Sequence, residues 1–357
     1  KENDNNDKIA IEVGEIKFPP QDVLQLKSYY LSSSVHVDSI DYLIGYNYRL
    51  HSLDCMNLKS KSVTQIVLPG DGPDAIVRLS GIYAQSLDSV WISDESERAF
   101  LIDSVGTIKR MIDLKKYLED QEQLLINTNY AMFTSHLFYN ASRHSLMFLV
   151  KHTPSNTFIV KEVFIDEVGK MATYQLSSSK VVPDMSKGYA YINFPNVNFV
   201  GENIVYNYPV ESSIYMLDIR TNERKYILAD SHYTSNIIEK CTTSGDYATL
   251  EKHWLEKSPF YDIMYLPKYK IYARLHADKV DFDEKKGMEK LINERDLYLM
   301  LFDENMEKIG ETKLSNCRYS PFTSWNATYG GIALFVDNVL DEKNNTDDLT
   351  IDIISLK

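Results

Sequence analysis

The sequence predicts an all-β protein: a six-bladed β-propeller of four-stranded antiparallel blades, its ring closed by the N-terminal strand. Three observations predict it. A phrase of apolar residues, Asp and a tight turn recurs along the chain. A wholly apolar run precedes most copies. The last repeat lacks an outer strand, and the N-terminus offers one.

The phrase reads Ser52-Leu53-Asp54, Leu101-Ile102-Asp103, Phe164-Ile165-Asp166, Met216-Leu217-Asp218 and Leu301-Phe302-Asp303, at intervals of 49, 63, 52 and 85 residues. In Asp103-Ser104-Val105-Gly106 and Asp166-Glu167-Val168-Gly169 the carboxylate can accept a backbone N–H two residues on. The glycine then supplies the positive φ of a hairpin bulge. The upstream runs are Ile40 to Ile44, Val90 to Ile92, Leu146 to Leu149, Ile204 to Tyr206 and Ile332 to Phe335. They suit strands covered on both faces. The strands downstream, such as Thr107 to Leu114 and Arg224 to Leu228, alternate and carry Lys or Arg, as an outer edge does.

Lettering the strands A to D from the channel outward, five units end near residues 68, 114, 176, 228 and 314. A sixth has strand A near Thr323, B at Ile332 to Asp337 and C at Leu349 to Leu356, where the chain stops. Its strand D is expected at Ile9 to Val13, beside Thr350 to Ile354. Closure removes the open edges of the ring. Residues 1–7 read as a polar tether and 8–357 as one domain. Units of about 60 residues exceed compact propeller blades of about 40–50, so the excess belongs in loops. Three stretches have helical spacing: Leu114 to Leu125, Tyr247 to Leu255, and Met288 to Ile292. Each is expected to cap the ring with one apolar face.

Charge counting gives 38 − 51 = −13, which disfavours a nucleic-acid partner. The longest apolar runs hold five residues, whereas a spanning helix needs about 20, so no transmembrane segment is expected. Cys55, Cys241 and Cys317 fit neither a zinc site nor a redox pair. The chain starts at Lys1 with eight charged or amide side chains, the pattern of a processed envelope protein with a lipid anchor upstream. A monomer is expected.

Pro69-Gly70-Asp71-Gly72-Pro73, followed by Ser80-Gly81-Ile82-Tyr83 and Leu87-Asp88-Ser89-Val90, resembles a family of Bacteroidetes envelope propellers, domain of unknown function 4221. Ser258-Pro259-Phe260-Tyr261 with Tyr269 to Arg274 is similar to it as well. The resemblance implies a TolB-like six-bladed fold and an envelope location, often as a lipoprotein. It transfers no catalytic residue.

No Gly-x-Ser-x-Gly elbow, His-Glu-x-x-His helix or phosphate-binding glycine loop occurs. The eight histidines show no ligand spacing. The acidic stretches at 278–284 and 341–348 lack the order and central glycine of a calcium loop. No metal or cofactor is expected. Asp38-Ser39-Ile40, Asp88-Ser89-Val90 and Asp103-Ser104-Val105 resemble O-glycosylation sites of Bacteroidetes envelope proteins, and read more simply as turns.

Loop length marks the functional face. Long connections fall between D and the next A (115–135, 177–196, 229–259) and between B and C (277–295, 338–348). In an antiparallel meander these emerge on one side, and loops carry function. The residues expected to bind a ligand at that channel mouth are Trp325, Asn326, Tyr261, His232, Tyr233, His136, Tyr139 and Tyr191. Rings beside polar groups suit a glycan or peptide. The first hypothesis is a non-enzymatic binding protein of the envelope, whose partner is a glycan, a peptide or another envelope protein. The alternative is a channel-site enzyme, either a metal-dependent lactonase-type hydrolase or a glycan-active enzyme.

Overall fold

The computed structural model describes residues 10–20, 26–125, 137–182, 189, 192, 194–241, 246–321, 325–343 and 347–357. The tether at 1–7, His136 and Tyr191 lie outside them. In chain order, β1 (Ile11–Phe18) comes before blade 1, which holds β2 (Ser32–Val37), β3 (Ile40–Asn47), β4 (Ser52–Asn57) and β5 (Val63–Val67). Blade 2 holds β6 (Leu79–Ser86), β7 (Ser89–Asp94), β8 (Arg98–Ile102) and β9 (Ile108–Asp113). Blade 3 holds β10 (Glu122–Leu124), β11 (Phe138–Asn140), β12 (Ser145–His152), β13 (Thr157–Phe164) and β14 (Met171–Gln175). Blade 4 holds β15 (Asn196–Val200), β16 (Asn203–Asn207), β17 (Ile214–Asp218) and β18 (Arg224–Ile227). Helix α1 (Tyr247–Leu255) leads to blade 5, with β19 (Phe260–Leu266), β20 (Ile271–Ala277), helix α2 (Met288–Asn293), β21 (Leu297–Phe302) and β22 (Lys308–Lys313). Blade 6 holds β23 (Trp325–Ala327), β24 (Ile332–Phe335) and β25 (Leu349–Leu356).

The fourth strand of blade 6 is β1, paired antiparallel with β25 from Ile11 opposite Leu356 to Phe18 opposite Leu349. The closing strand therefore runs further along the chain than the expected Ile9 to Val13. Phe18 explains the extension: it is fully buried against Tyr29, Phe335 and Leu349 in the core between blades 6 and 1. Arg318 fastens the closure. Its guanidinium reaches buried Asp352 on β25 at 2.5 and 2.8 Å and Glu15 on β1 at 2.9 Å.

The core lies between blades, where the faces of neighbouring sheets interdigitate. Trp91 on β7 is buried, as its apolar run predicts. In blade 1, Gly45 leaves room for the Tyr29 ring, which a Cβ would strike. That lets the Tyr29 hydroxyl donate to buried Asp54 at 2.6 Å.

The turn chemistry holds in three of five copies. Asp103 accepts from Val105 N and Thr107 N, Asp218 from Arg220 N and Thr221 N, and Asp303 from Asn305 N and Glu307 N. Gly106 takes φ +84°, and a Cβ there would strike the Val67 carbonyl of blade 1. Asp166 instead pairs with Arg110 at 3.2 Å. Asp54 does not start a turn. It sits inside β4, satisfied by Tyr29, Asn47 and Gln65, while Asn57 accepts the turn N–H groups of Lys59 and Ser60.

The stretch Leu114 to Leu125 is not one helix. A 3₁₀ turn at Leu114–Tyr117, capped by Asp113, gives way to β10. The reason is the buried Lys161 ammonium, which bonds the Tyr117 carbonyl at 2.9 Å and the Glu122 carboxylate at 2.5 Å and holds the segment extended along β12. The inner strand of blade 3 thus comes in two pieces, β10 and β11, both paired to β12. The other two helices form as expected, with Trp254, Leu255, Leu291 and Ile292 buried beneath them. The described parts of the long connections, 228–241, 246–259, 278–296, 336–343 and 347–348, belong to the B–C and D–A side. All three Asp-Ser-aliphatic triplets lie in short turns on the opposite side, where the Ser104 hydroxyl donates to Asp88 at 2.7 Å.

Candidate functional site

The six inner strands enclose a central cavity of about 380 Å³. Each blade contributes, so the cavity is a product of ring closure and not of any one repeat. Two arcs differ in character. Blades 6 and 1 present Asn326 with Ser32, Ser33 and Ser34. Blades 2, 3 and 4 present Tyr83, Phe138 and Phe199. These three rings touch in sequence: Tyr83 meets Phe138 edge-on at 5.1 Å, and Phe138 stacks on Phe199 at 4.7 Å. Blade 5 closes the circle with Met264, Tyr265 and Pro267, and Trp325 stands beside Asn326.

Among the described residues none that lines the cavity carries a formal charge, although the chain is 25% charged. Burial pushes the Tyr83 and Tyr265 hydroxyls above the ordinary tyrosine range, so both remain neutral. General acid–base catalysis most often uses His, Asp, Glu or Lys, and none of these stands among the described lining residues.

Polar side chains of the inner strands staple the blades together. Asn326 donates to Ser32 at 2.7 Å and Ser34 to the Ala327 carbonyl at 2.5 Å, joining blades 6 and 1. Ser33 accepts from Ala84 N at 3.1 Å, joining blades 1 and 2. Asn198 donates to the Ile263 carbonyl at 2.9 Å, joining blades 4 and 5. The Trp325 indole donates to buried Asp262 at 2.5 Å, joining blades 5 and 6.

The predicted residues divide among three places. Trp325 and Asn326 line the cavity, and Trp325 is only 4% exposed, its indole N–H held by Asp262. Tyr261 is buried below it, its hydroxyl 3.5 Å from the Pro321 carbonyl. Tyr139 stacks on Trp91 between blades 2 and 3 at 5.7 Å. His232 and Tyr233 are exposed on the long 228–259 connection. Sequence reasoning missed the serines of β2, Tyr83, Phe138, Asn198 and Phe199, because it located strands by the apolar B runs and left most A strands undrawn.

Beneath His232 and Tyr233 lies a charged cradle. Glu311 on β22 accepts from Ser231 Oγ at 2.5 Å, His276 at 2.8 Å, His232 N at 3.0 Å and Lys308 at 3.2 Å. Burial raises its pKa, but the bonds from His276, Ser231 and His232 N outweigh burial and bring it down to about 2. Burial holds the His276 ring below its ordinary value. With a carboxylate on Nε2, the neutral ring donates there and accepts from Thr234 at Nδ1, 3.0 Å away. Hydroxyl, imidazole and carboxylate are thus in line. The backbone N–H groups of Tyr233 and Thr234, however, are bonded to Ser231 Oγ and cannot serve an oxyanion. Arg274 completes the cradle. Burial lowers its pKa to about 9, and it donates to the Ser212 and Ala229 carbonyls. The array clamps the loop onto blade 5. Among the described residues no three metal-ligating side chains converge, and no helix is long and apolar enough to cross a membrane.

Fold and cavity together define the class: a six-bladed β-propeller with a small-molecule-sized central channel. The chain belongs to the family described as "Domain of unknown function (DUF4221)", whose model matches residues 2–313. A solved member of that family from Bacteroides vulgatus ATCC 8482 superposes with a TM-score of 0.76 at 14% identity, covering 99% of each chain. A Bacteroides fragilis NCTC 9343 protein described as exported superposes with a TM-score of 0.60 at 13% identity, covering 97% of this chain and 95% of that one. These likenesses show the fold. A comparison with curated proteins by sequence gives no match.

Proposed function

We propose that the protein is a non-catalytic, ligand-binding propeller of the cell envelope whose ligand sits in the central channel. The observation that supports this is the lining: six inner strands build a cavity of about 380 Å³ whose described lining residues include no charged group. Ligand pockets are concave, mostly apolar and punctuated by a few polar groups, in a range of about 300–1,000 Å³. The cavity has that make-up, whereas the ionic array under Ser231 is spent on holding a loop. The envelope location draws support from the exported relative.

The test is a thermal-shift screen of small neutral compounds, because a ligand specific to the folded state raises its stability. Hits are titrated while following tryptophan emission. Binding in the channel should change the Trp325 signal and be weakened by Tyr83→Ala. Hits that ignore Tyr83→Ala and respond to Tyr233→Ala would place the ligand on the long loops instead.

A further inference from the structure

We propose that the channel ligand is a neutral saccharide of one or two rings. The inference rests on the channel reading above and names the ligand class. It follows from what each staple leaves over. Ser33, a lining residue, uses its oxygen to accept from Ala84 N, which leaves its O–H to donate. Ser34 donates to the Ala327 carbonyl and keeps its lone pairs. Asn326 donates to Ser32 and keeps its Oδ1 as an acceptor. Acceptors at the boundary of blades 6 and 1 and a donor at the boundary of blades 1 and 2, one residue apart on β2, therefore flank the cavity. A sugar hydroxyl both donates and accepts, and a row of them matches such an arc.

The opposite arc supplies the other half of the match. Tyr83, Phe138 and Phe199, packed against one another, line that side with apolar ring surface for the C–H groups of a pyranose. The cavity of about 380 Å³ lies near the small end of the usual ligand range of about 300–1,000 Å³, room for a compact ligand and not for a folded segment of protein. The uncharged lining also selects. An acidic or amino sugar would carry its charge away from water with no counter-ion waiting, which is strongly unfavourable.

The experiment titrates the full chain with glucose, galactose, mannose, N-acetylglucosamine, cellobiose and lactose. Glucuronate and glucosamine serve as charged counterparts. Heat and tryptophan emission are both read. At least one neutral sugar should bind and shift the emission, and its charged counterpart should bind at least about tenfold more weakly. Ser33→Ala should weaken binding about threefold and Asn326→Leu about tenfold, while Ser33→Ala melts within a few degrees of the parent. Tyr233→Ala should leave the affinity unchanged. Charged sugars binding as tightly, neutral sugars indifferent to both channel variants, or no sugar binding at all would each overturn the proposal. If an uncharged compound of another class then shifts the emission of the parent and not of Asn326→Leu, the saccharide is wrong and the channel stands. If every binder found depends on Tyr233 and ignores the channel variants, the channel falls with it.

Discussion

The central channel and the cradle under Ser231 lie in one ring and are built from opposite materials. The channel is lined by hydroxyls, amides and aromatic rings, with no charge among the described residues. The cradle buries Glu311, His276 and Arg274, all at 0–1% exposure. In the channel, Ser33, Ser34 and Asn326 make one neutral bond each across a blade boundary and leave a second valence open. In the cradle, one carboxylate collects four donors. The difference teaches where this protein places stability and where it leaves capacity. Saturated charge fixes a loop, and unsaturated neutral polarity is what a ligand can use.

The harshest way to break the comparison removes the frame that both regions share. Deleting residues through Phe18 takes away β1 and strands Asp352 without Glu15 beside its Arg318 clasp. Cooperative unfolding should be lost, read by calorimetry. A truncated chain that melts like the parent would mean the ring does not need its closing strand.

Next in size is the cradle itself. Glu311→Ala leaves His276, Ser231 and Lys308 without their acceptor and should cost about 3–5 kcal/mol in urea unfolding, as breaking a buried ion pair does. Channel affinity should hardly move. If affinity falls in step with stability, the two regions are one site.

Trp325→Phe probes the channel side. It keeps a ring and loses the bond to Asp262, so stability should drop by about 1–3 kcal/mol while the fluorescence response to channel ligands disappears. A response that survives would assign it to Trp91 or Trp254.

Acid separates the regions most gently. His276 is held below its ordinary value, so below about pH 6.5 the unfolded chain takes up a proton that the folded one refuses. Glu311, brought down to about 2, adds to this from about pH 4.5 downward, because its stabilising charge persists in the fold until pH falls to that value. The melting temperature should therefore fall as pH drops from 7 to 4. Affinity for a neutral channel ligand should change less than about twofold between pH 5 and 8, since no described lining residue titrates there. A steep pH dependence of binding would show that the cradle reaches the channel.

Much of the fold was legible because the B strands are buried on both faces and need unbroken apolar runs. Leu146 to Leu149 and Ile332 to Phe335 could hardly be anything else. The turns were legible where Asp meets its own backbone, at Asp103, Asp218 and Asp303. Asp54 misled because its partners come from Tyr29 and Gln65, which local sequence does not reveal. Leu114 to Leu125 misled because a lysine 44 residues past Tyr117 decides its conformation. The site was harder still. Inner strands are sheet edges that border the cavity and bond to the blades on either side through polar side chains, so Ser32-Ser33-Ser34 and Asn198 carry no apolar signal. Their meaning depends on which blade stands beside them, a property of the closed ring.

That ring has one further consequence. Lys357 N donates to the Ala10 carbonyl at 3.1 Å, so the two ends of the described chain meet at the rim of blade 6. Chain order and spatial order are therefore nearly independent, and the first blade is first only by convention of synthesis. A short linker from 357 to 10 would turn the closing strand pair into an ordinary hairpin, and new ends could be cut at a turn such as Asn57 to Ser62. Such a circular permutant would keep every blade while changing which of them leaves the ribosome last.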